Sequence, residues 1–290
     1  SAYTINASTG ALTSVGAAVP AGTWPYAVTV DPTGKFAYVA NEASFNVSAY
    51  TINATTGALT SVGAPVPAGN DPRSVTVDPS GRFAYVANAS SNTVSAYTIN
   101  TSTGALTSVG AAVATGSIPQ SVTVDPSGRF AYVANLASNS ISAYTINTST
   151  GVLTSVGAGV AAGTNPVSVA VDPSGRFVYA ANSGSFNVSA YTINTSTGAL
   201  TSIGGVTAGF GPRSVTVDPS GKFAYVASNL SNNVSVYAIN ASTGALTSAG
   251  TVSGRSGLMS IAMTKGTAAV TYTPKFAYAA NSISNNISAY

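Results

Sequence analysis

The stretch Ser74–Asn100, SVTVDPSGRFAYVANASSNTVSAYTIN, decides the fold, because it recurs with nearly the same letters along almost the whole chain. Its closing motif, SAYTIN, begins at Ser1, Ser48, Ser95, Ser142 and Ser189, a variant SVYAIN begins at Ser235, and a truncated SAY begins at Ser288. The steps between these starts are 47, 47, 47, 47, 46 and 53 residues. A period of about 20–50 residues is typical of solenoids, propellers and arrays, because one unit cannot bury its apolar surface without its neighbours.

Each repeat reads as four short strands, which we label a to d. Strand a is the alternating run SVTV at Ser74, and it ends in Asp-Pro-Ser-Gly, which suits a type I turn. Strand b is Arg82–Asn88 and strand c is Val94–Asn100. A turn at Gly104 leads into a short strand d, and no helical periodicity interrupts the pattern. Four antiparallel strands per repeat predict a propeller blade.

The motif count predicts an all-β, six-bladed β-propeller of four-stranded antiparallel blades, forming one domain over residues 1–290 with repeats starting near 1, 48, 95, 142, 189 and 235. The chain begins with strands c and d and ends with a, b and part of c. We therefore expect the N- and C-terminal strands to share one blade and close the ring, which hides two sheet edges. The c motif occurs seven times, so the alternative is part of a seven-bladed or longer array.

Charge and hydropathy exclude two classes of partner. Charged residues make up 6% of the chain, with ten Lys and Arg against seven Asp and Glu. In five repeats an aspartate lies four residues before a cation, as Asp78 does before Arg82, so we expect solvated local pairs in turns and no nucleic-acid partner. No run of about 18 apolar residues occurs, so we expect no membrane insertion. Six of the ten cations occupy one repeat position, namely Lys35, Arg82, Arg129, Arg176, Lys222 and Lys275.

The amino-acid usage favours an exported protein. Ser, Thr, Asn, Ala and Gly are abundant, charges are few, and there are no cysteines and so no disulfide or thiol chemistry. We expect an extracellular or cell-surface location, with the periplasm as the alternative.

The runs YVAN at Tyr38, Tyr85 and Tyr132, together with VDPSG or VDPTG, resemble YVTN-type β-propeller repeats. Such repeats occur in microbial surface-layer proteins and in the lactonase-like propeller family that includes 6-phosphogluconolactonase. The resemblance covers nearly the whole chain and implies a propeller, commonly seven-bladed. It also implies, for lactonase-like members, a polar cluster of histidine and carboxylates in the central groove.

The chain contains no histidine, and its only glutamate is Glu42. No catalytic residue is therefore carried over from the resemblance, and we expect no enzyme activity, no metal site and no cofactor. A Ser–His–Asp triad is excluded without histidine. Among the variable loops, Glu42 and Asp71 are the only pair of carboxylates that could act as general acid and base.

The b–c and d–a loops differ among repeats, whereas the a–b and c–d turns are nearly constant. Because strands alternate in direction, the two variable loops lie at one end of each blade, and binding residues concentrate on loops held by a rigid scaffold. Sequence drift in loosely constrained loops is the alternative interpretation. The candidate ligand-binding residues are Trp24, Tyr26, Glu42, Phe45, Asp71, Arg73, Gln120, Phe186, Phe210 and Arg213.

Three functional hypotheses follow. The first is a non-catalytic, secreted or surface module, structural or adhesive, whose variable loops bind a glycan or a protein. The second is a lactonase-like hydrolase of sugar lactones. The third is a self-assembling surface or filament subunit, which associates through the surplus terminal strand at Ser288–Tyr290.

Overall fold

A computed structural model of the chain describes residues 1–6, 8–254, 256–263, 277–281 and 286–289. Regular structure in this part of the chain is entirely β-strand, and it holds no helix that could cross a bilayer. The chain folds into two compact units. Unit 1 is Ser1–Val133 with Tyr144–Ser155, and unit 2 is Ala134–Ala143 with Val156–Tyr290. The single domain over residues 1–290 stays a prediction.

Twenty-eight strands are present in the described residues. Their bounds, in the first half of the chain, are β1 (Tyr3–Ile5), β2 (Leu12–Ser14), β3 (Pro25–Val30), β4 (Phe36–Asn41), β5 (Asn46–Ile52), β6 (Leu59–Ser61), β7 (Val66–Pro67), β8 (Pro72–Val77), β9 (Phe83–Asn88), β10 (Thr93–Ile99), β11 (Leu106–Ser108), β12 (Val113–Ala114), β13 (Pro119–Val124) and β14 (Phe130–Asn135). The remaining strands are β15 (Ser140–Ile146), β16 (Leu153–Ser155), β17 (Val160–Ala161), β18 (Pro166–Val171), β19 (Phe177–Asn182), β20 (Asn187–Ile193), β21 (Leu200–Thr207), β22 (Pro212–Val217), β23 (Phe223–Ser228), β24 (Asn233–Ile239), β25 (Leu246–Ser253), β26 (Leu258–Met263), β27 (Ala277–Asn281) and β28 (Asn286–Ala289).

Five sheets repeat the same order of strands a to d. These orders are β3-β4-β5-β6, β8-β9-β10-β11, β13-β14-β15-β16, β18-β19-β20-β21 and β22-β23-β24-β25. Neighbouring strands pair antiparallel, as β8 does with β9 and β9 with β10. The predicted all-β fold of four-stranded antiparallel blades is therefore confirmed.

Strand d is broken in the first three of these sheets and continuous in the last two. In the second sheet β12 returns to pair with β10. Four residues lie between Ser108 and Val113, whereas only two lie between their partners Tyr97 and Val94. In the sheet that ends with β21 the loop is one residue shorter, and the strand continues with only a bulge opposite Ala190 and Tyr191. The change from 47 to 46 residues in the repeat step thus converts a looped-out segment into a bulged strand.

The two chain ends form incomplete sheets. β1 pairs with β2, and β26, β27 and β28 form a three-stranded sheet in which Ser288 lies opposite Ala279. The truncated SAY motif is therefore strand c of its own sheet, although Tyr290 lies outside the described residues. Within those residues the ends form separate sheets, not the shared blade that we predicted, because the last repeat supplies its own strand c.

The core of unit 1 lies between successive sheets. Aromatic residues of strands b and c alternate with small residues, so that one face of each sheet packs against the next. A fully buried side chain of this size contributes about 1.5–3 kcal/mol. The layer between the first two four-stranded sheets contains Phe36, Tyr38, Val47, Val75, Val86, Tyr97 and Ile99, all buried.

We call the end of each sheet that carries the a–b and c–d turns the turn end. Here Asp78 is 3% exposed, and its carboxylate accepts hydrogen bonds from the backbone N–H groups of Ser80, Arg82 and Phe83 at 2.7–3.0 Å. The guanidinium of Arg82 lies instead over the Phe83 ring, 5.1 Å from its centroid. The predicted solvated pair of Asp78 with Arg82 is therefore wrong, because the backbone donors of the turn already satisfy the buried carboxylate.

The turn ends also connect neighbouring sheets. The Tyr38 hydroxyl donates to the carbonyl of Gly104, which belongs to the c–d turn of the next sheet, at 3.0 Å. Gly104 has φ +78°, and a Cβ there would lie 2.3 Å from Cδ1 of Phe36. The constant Gly of the c–d turn is thus required both by its backbone angle and by the aromatic ring packed on it.

Candidate functional site

The opposite end of each sheet, which carries the b–c and d–a loops, is called the loop end. Its central residues lie at the second position of successive a strands, namely Tyr26 in β3, Arg73 in β8 and Gln120 in β13. In β8, Pro72 pairs with Asn88 and Ser74 with Ala87, so Arg73 is the extra residue of a β-bulge. Tyr26 occupies the same bulge in β3. Bulges re-aim a side chain and are common beside active sites, which gives these positions a local reason to project from the sheet.

Arg73 contacts three of the other predicted residues. Its Nη2 lies 3.0 Å from Oε1 of Glu42, the residue that follows β4, and forms the one ion pair found in the described residues. Its Nη1 donates to Oε1 of Gln120 at 3.3 Å. Its Cζ lies 5.6 Å from the centroid of the Tyr26 ring, within cation–π range. The loop end of unit 1 thus brings Tyr26, Glu42, Arg73 and Gln120 into one cluster.

The cluster holds two donors without a partner. Nε of Arg73 and Nε2 of Gln120 are buried, and neither has a hydrogen-bond partner among the described residues. Gln120 is only 8% exposed as a whole residue. A buried polar group left unsatisfied costs about 1–3 kcal/mol, so two in one cluster call for an explanation. Both are N–H donors, so the group that would satisfy them is an oxygen acceptor.

Trp24 precedes β3 and Phe45 precedes β5, so both lie at the loop end of the first four-stranded sheet. The Trp24 carbonyl accepts a hydrogen bond from the Glu42 N–H at 2.8 Å, which ties the d–a loop to the residue that pairs with Arg73. The Trp24 side chain is 70% exposed and that of Phe45 is also exposed. Both residues have φ +53°, a backbone angle that is unfavourable for bulky side chains.

Asp71 does not join Glu42. Its Oδ2 accepts a hydrogen bond from the Ser90 hydroxyl, in the b–c loop of its own repeat. The carboxylate pair of Glu42 with Asp71 is therefore not formed, and Glu42 pairs with Arg73 instead.

The other three candidates belong to unit 2. Phe186 and Phe210 form an edge-to-face pair with ring centroids 5.2 Å apart, and both rings are exposed. Arg213 is the exposed bulge residue of β22. Binding of a glycan or a protein by these loops stays a prediction.

The position of the site residues was predicted from the repeat, but the contacts among them were not. Glu42 belongs to one repeat and Arg73 to the next, and no periodic pattern signals a contact between a b–c loop and the following a strand. In the described part of the chain, no three His, Cys, Asp or Glu side chains come close enough to hold a metal ion. The cluster itself offers one carboxylate, one guanidinium, one amide and the phenol of Tyr26.

Solved structures with the same fold come from several bacteria. A periplasmic gluconolactonase from Pseudomonas aeruginosa superposes with a TM-score of 0.83 at 18% identity, covering 99% of this chain and 86% of that one. A Bacteroides fragilis protein, described provisionally as a 6-phosphogluconolactonase, gives 0.73 at 21% identity, with coverage of 87% and 76%. A Lactobacillus plantarum protein gives 0.76 at 22% identity, with coverage of 88% and 78%. Comparison with curated protein sequences finds no match.

The sequence model of one protein family, described as lactonase, seven-bladed β-propeller, matches residues 1–70, 66–123, 117–205 and 204–290. This match overturns the prediction of a non-catalytic module and the prediction that the protein is not an enzyme. These predictions rested on the near-identity of the repeats, the low charge, the missing histidine and the lack of a recognisable catalytic cluster, yet a carboxylate also serves as a general base in hydrolysis. The lactonase-like resemblance is confirmed, and the chain belongs to the family of seven-bladed β-propeller lactonases.

Proposed function

We propose that this protein hydrolyses a cyclic sugar ester, a sugar lactone, at the loop end of unit 1. The observation that carries the proposal is the cluster of Glu42, Arg73 and Gln120, in which two buried N–H donors lack an acceptor. Family membership supplies the reaction class. A lactone offers a carbonyl oxygen that becomes negatively charged during hydrolysis, and such an oxyanion is the acceptor that these donors fit.

The reaction divides into two steps. Glu42 accepts a proton from water as the water oxygen forms a bond to the lactone carbonyl carbon, and the carbonyl π electrons move to its oxygen. The N–H groups of Arg73 and Gln120 stabilise this oxyanion. The tetrahedral centre then collapses, the bond from carbon to the ring oxygen breaks, and that oxygen takes the proton back from Glu42. The product is a hydroxy acid, and Glu42 returns to its carboxylate form.

Substrate binding also requires a local movement. Nε of Arg73 and Nε2 of Gln120 are covered in the structure, whereas the Arg73 and Glu42 side chains as wholes are 28% and 17% exposed. Rotation of the Arg73 side chain on its exposed side opens its Nε–H to a ligand, and the Gln120 amide follows through their shared hydrogen bond. Hydrogen bonds that tighten only in the complex are common in active sites.

The proposal includes a periplasmic location, which is supported by the likeness to a periplasmic gluconolactonase. It does not include a location at the cell surface. Fractionation of the native host, with the protein followed by immunoblot, tests this point.

The number of blades also belongs to the proposal. Six copies of the inner-strand motif favour six, and the family description names seven. The described residues form five four-stranded sheets and two incomplete ones, which give seven when each incomplete sheet counts as a blade. A crystal structure of the full chain distinguishes six from seven.

The test of activity is acid release from glucono-1,5-lactone, measured against spontaneous hydrolysis. We expect turnover by the native protein, and a fall of about 100-fold in kcat for Glu42→Gln, because a general base contributes roughly 10²–10⁴-fold. Asp71→Asn is the control, since Asp71 bonds Ser90 and not the cluster. No turnover above the spontaneous rate, or equal losses for both variants, contradicts the proposal.

A further inference from the structure

Resting on the proposed function, we infer that this site takes an uncharged sugar lactone and discriminates against the phosphorylated one. The inference comes from the charges at the loop end of unit 1. They are two carboxylates, Glu42 and Asp71, and one guanidinium, Arg73, which give a formal charge of −1. A sugar phosphate brings about −1.5 to −2 at pH 7, so it enters a region of like charge.

The single cation of the site is already engaged. Nη2 of Arg73 bonds Glu42 and Nη1 bonds Gln120, which leaves Nε as the one guanidinium nitrogen without a hydrogen bond. A phosphate carries three strong acceptor oxygens and is usually held by a bidentate arginine or by several cations. The two nitrogens without a partner suffice for a carbonyl oxygen, whereas bidentate binding of a phosphate would compete with the Glu42 and Gln120 bonds of the Nη groups.

The other cations of unit 1 lie at the turn end. Lys35, Arg82 and Arg129 each follow an a–b turn, at the far end of a six-residue a strand, which spans roughly 20 Å. Arg82 also has partners there: its guanidinium covers the Phe83 ring and donates to the carbonyls of Thr148 and Ser149 at 3.4 Å each. These cations are therefore too distant to hold a phosphate at the loop end.

The surroundings of the cluster suit an uncharged ring. Tyr26 is 48% exposed and Trp24 is 70% exposed, so both present aromatic surface at the loop end. Aromatic rings pack well against the C–H faces of a sugar, while a few polar groups fix its orientation. Trp24 is the only tryptophan of the chain, so its fluorescence reports binding at this end without any need for turnover.

The test compares kcat/KM for glucono-1,5-lactone and its 6-phosphate with the same preparation. We expect a preference of at least about tenfold for the uncharged lactone, since like charges at a binding site are strongly unfavourable. In Glu42→Gln the site loses one negative charge. The kcat/KM values for both lactones then fall, and the preference for the uncharged lactone over the phosphorylated one decreases by about tenfold. Arg82→Gln is the matched control at the turn end, where the preference stays within about twofold of native.

Failure of this inference is distinguishable from failure of the proposed function. If both lactones are hydrolysed and the phosphorylated one is equally good or better, the inference is overturned while lactone hydrolysis stands. If Arg82→Gln shifts the preference as much as Glu42→Gln, the selectivity is not set at this site and the inference is again overturned. If neither lactone is hydrolysed, the proposed function fails, and titration of Trp24 fluorescence with gluconate and 6-phosphogluconate then tests the charge argument by itself. Weaker binding of 6-phosphogluconate supports the charge argument, and tighter binding overturns it.

Discussion

The two ends of strand β8 illustrate how one repeat serves two purposes. At the turn end, Asp78 is buried and its carboxylate is surrounded by donors from Ser80, Arg82 and Phe83. At the loop end, about 20 Å along the strand, Arg73 keeps a buried donor without a partner. At the turn, backbone donors satisfy the Asp78 carboxylate. At the loop end, Arg73 and Gln120, which occupy a varying position of the repeat, keep buried N–H donors that an acceptor from a ligand would fit.

The same contrast appears in the backbone. At the turn end, positive φ angles belong to glycines, such as Gly81 at +71° and Gly104 at +78°. At the loop end, Trp24 and Phe45 adopt +53°, which L side chains of this size rarely do. The same angle recurs at equivalent loop-end positions of later repeats, among them Asp71, Asn92 and Ile118, so it belongs to the repeat and does not by itself mark the cluster.

The largest expected effect concerns the tyrosines of the sheet interiors. Burial raises the pKa of Tyr38, Tyr85 and Tyr179, with a further contribution from a nearby aspartate in each case. Above pH 10 the unfolded chain loses these protons while the folded protein keeps them, so stability is present below pH 10 and is lost as the pH rises. We expect the free energy of unfolding to fall by about 1.4 kcal/mol per pH unit for each such tyrosine.

Denaturant midpoints between pH 8 and pH 11 measure this slope. Tyr38→Phe removes one titrating group, so its slope above pH 10 should be shallower than that of the native protein. A slope that does not change in the variant would mean that Tyr38 titrates alike in both states.

Next in size is the replacement of the glycine at the c–d turn. Gly104→Ala should cost about 3–5 kcal/mol, because its Cβ would collide with Phe36 at φ +78°. Gly110→Ala is the matched control, since that glycine has φ +63° and no atom within 4 Å of the added Cβ. We expect about 1 kcal/mol there. Equal losses in urea unfolding would argue against the packing of Phe36 on the turn.

Substitutions of two aspartates, one at each end of the sheet, compare the two ends directly. Asp78→Asn places an amide N–H₂ among backbone donors and should cost about 2–3 kcal/mol. Asp71→Asn at the loop end keeps an oxygen acceptor for Ser90 and should cost less than about 0.5 kcal/mol. Thermal unfolding of both variants measures these losses. A larger loss of stability for Asp71→Asn than for Asp78→Asn would contradict the proposed difference between the two ends.

The smallest expected effect is a gain in stability. Asn92 occupies the position of Phe45 in the next repeat, and its Oδ1 accepts from the Ile118 N–H at 2.8 Å. The equivalent donor for residue 45 is the Asp71 N–H. Phe45→Asn therefore relieves an unfavourable angle and adds an acceptor, and we expect about 1 kcal/mol of stabilisation by chemical denaturation. Asn92→Phe should lose a similar amount, and a destabilised Phe45→Asn would show that Phe45 supports the fold.

The repeat made much of the fold predictable, since alternating residues and turn signals located strands a, b and c to within two residues. Strand a begins at Pro72, earlier than the expected Ser74, because the bulge at Arg73 has no signature in the alternation. The burial of Asp78 was not foreseen, because its partners are backbone N–H groups, which are the same for every sequence. Tyr26, Arg73 and Gln120 were found by their shared repeat position, but the contact of Arg73 with Glu42 depends on the packing of two repeats.

The central claim, that the loop end of unit 1 hydrolyses a sugar lactone, is tested most directly by two arginines at opposite ends of one hairpin. The measurement is the initial rate of glucono-1,5-lactone hydrolysis by Arg73→Ala and Arg82→Ala beside the native protein. We expect Arg73→Ala to lose roughly 100-fold in kcat, the usual cost of one oxyanion donor, and Arg82→Ala to keep the native rate. A native rate no faster than spontaneous hydrolysis, or an Arg73→Ala variant as active as Arg82→Ala, would contradict the account.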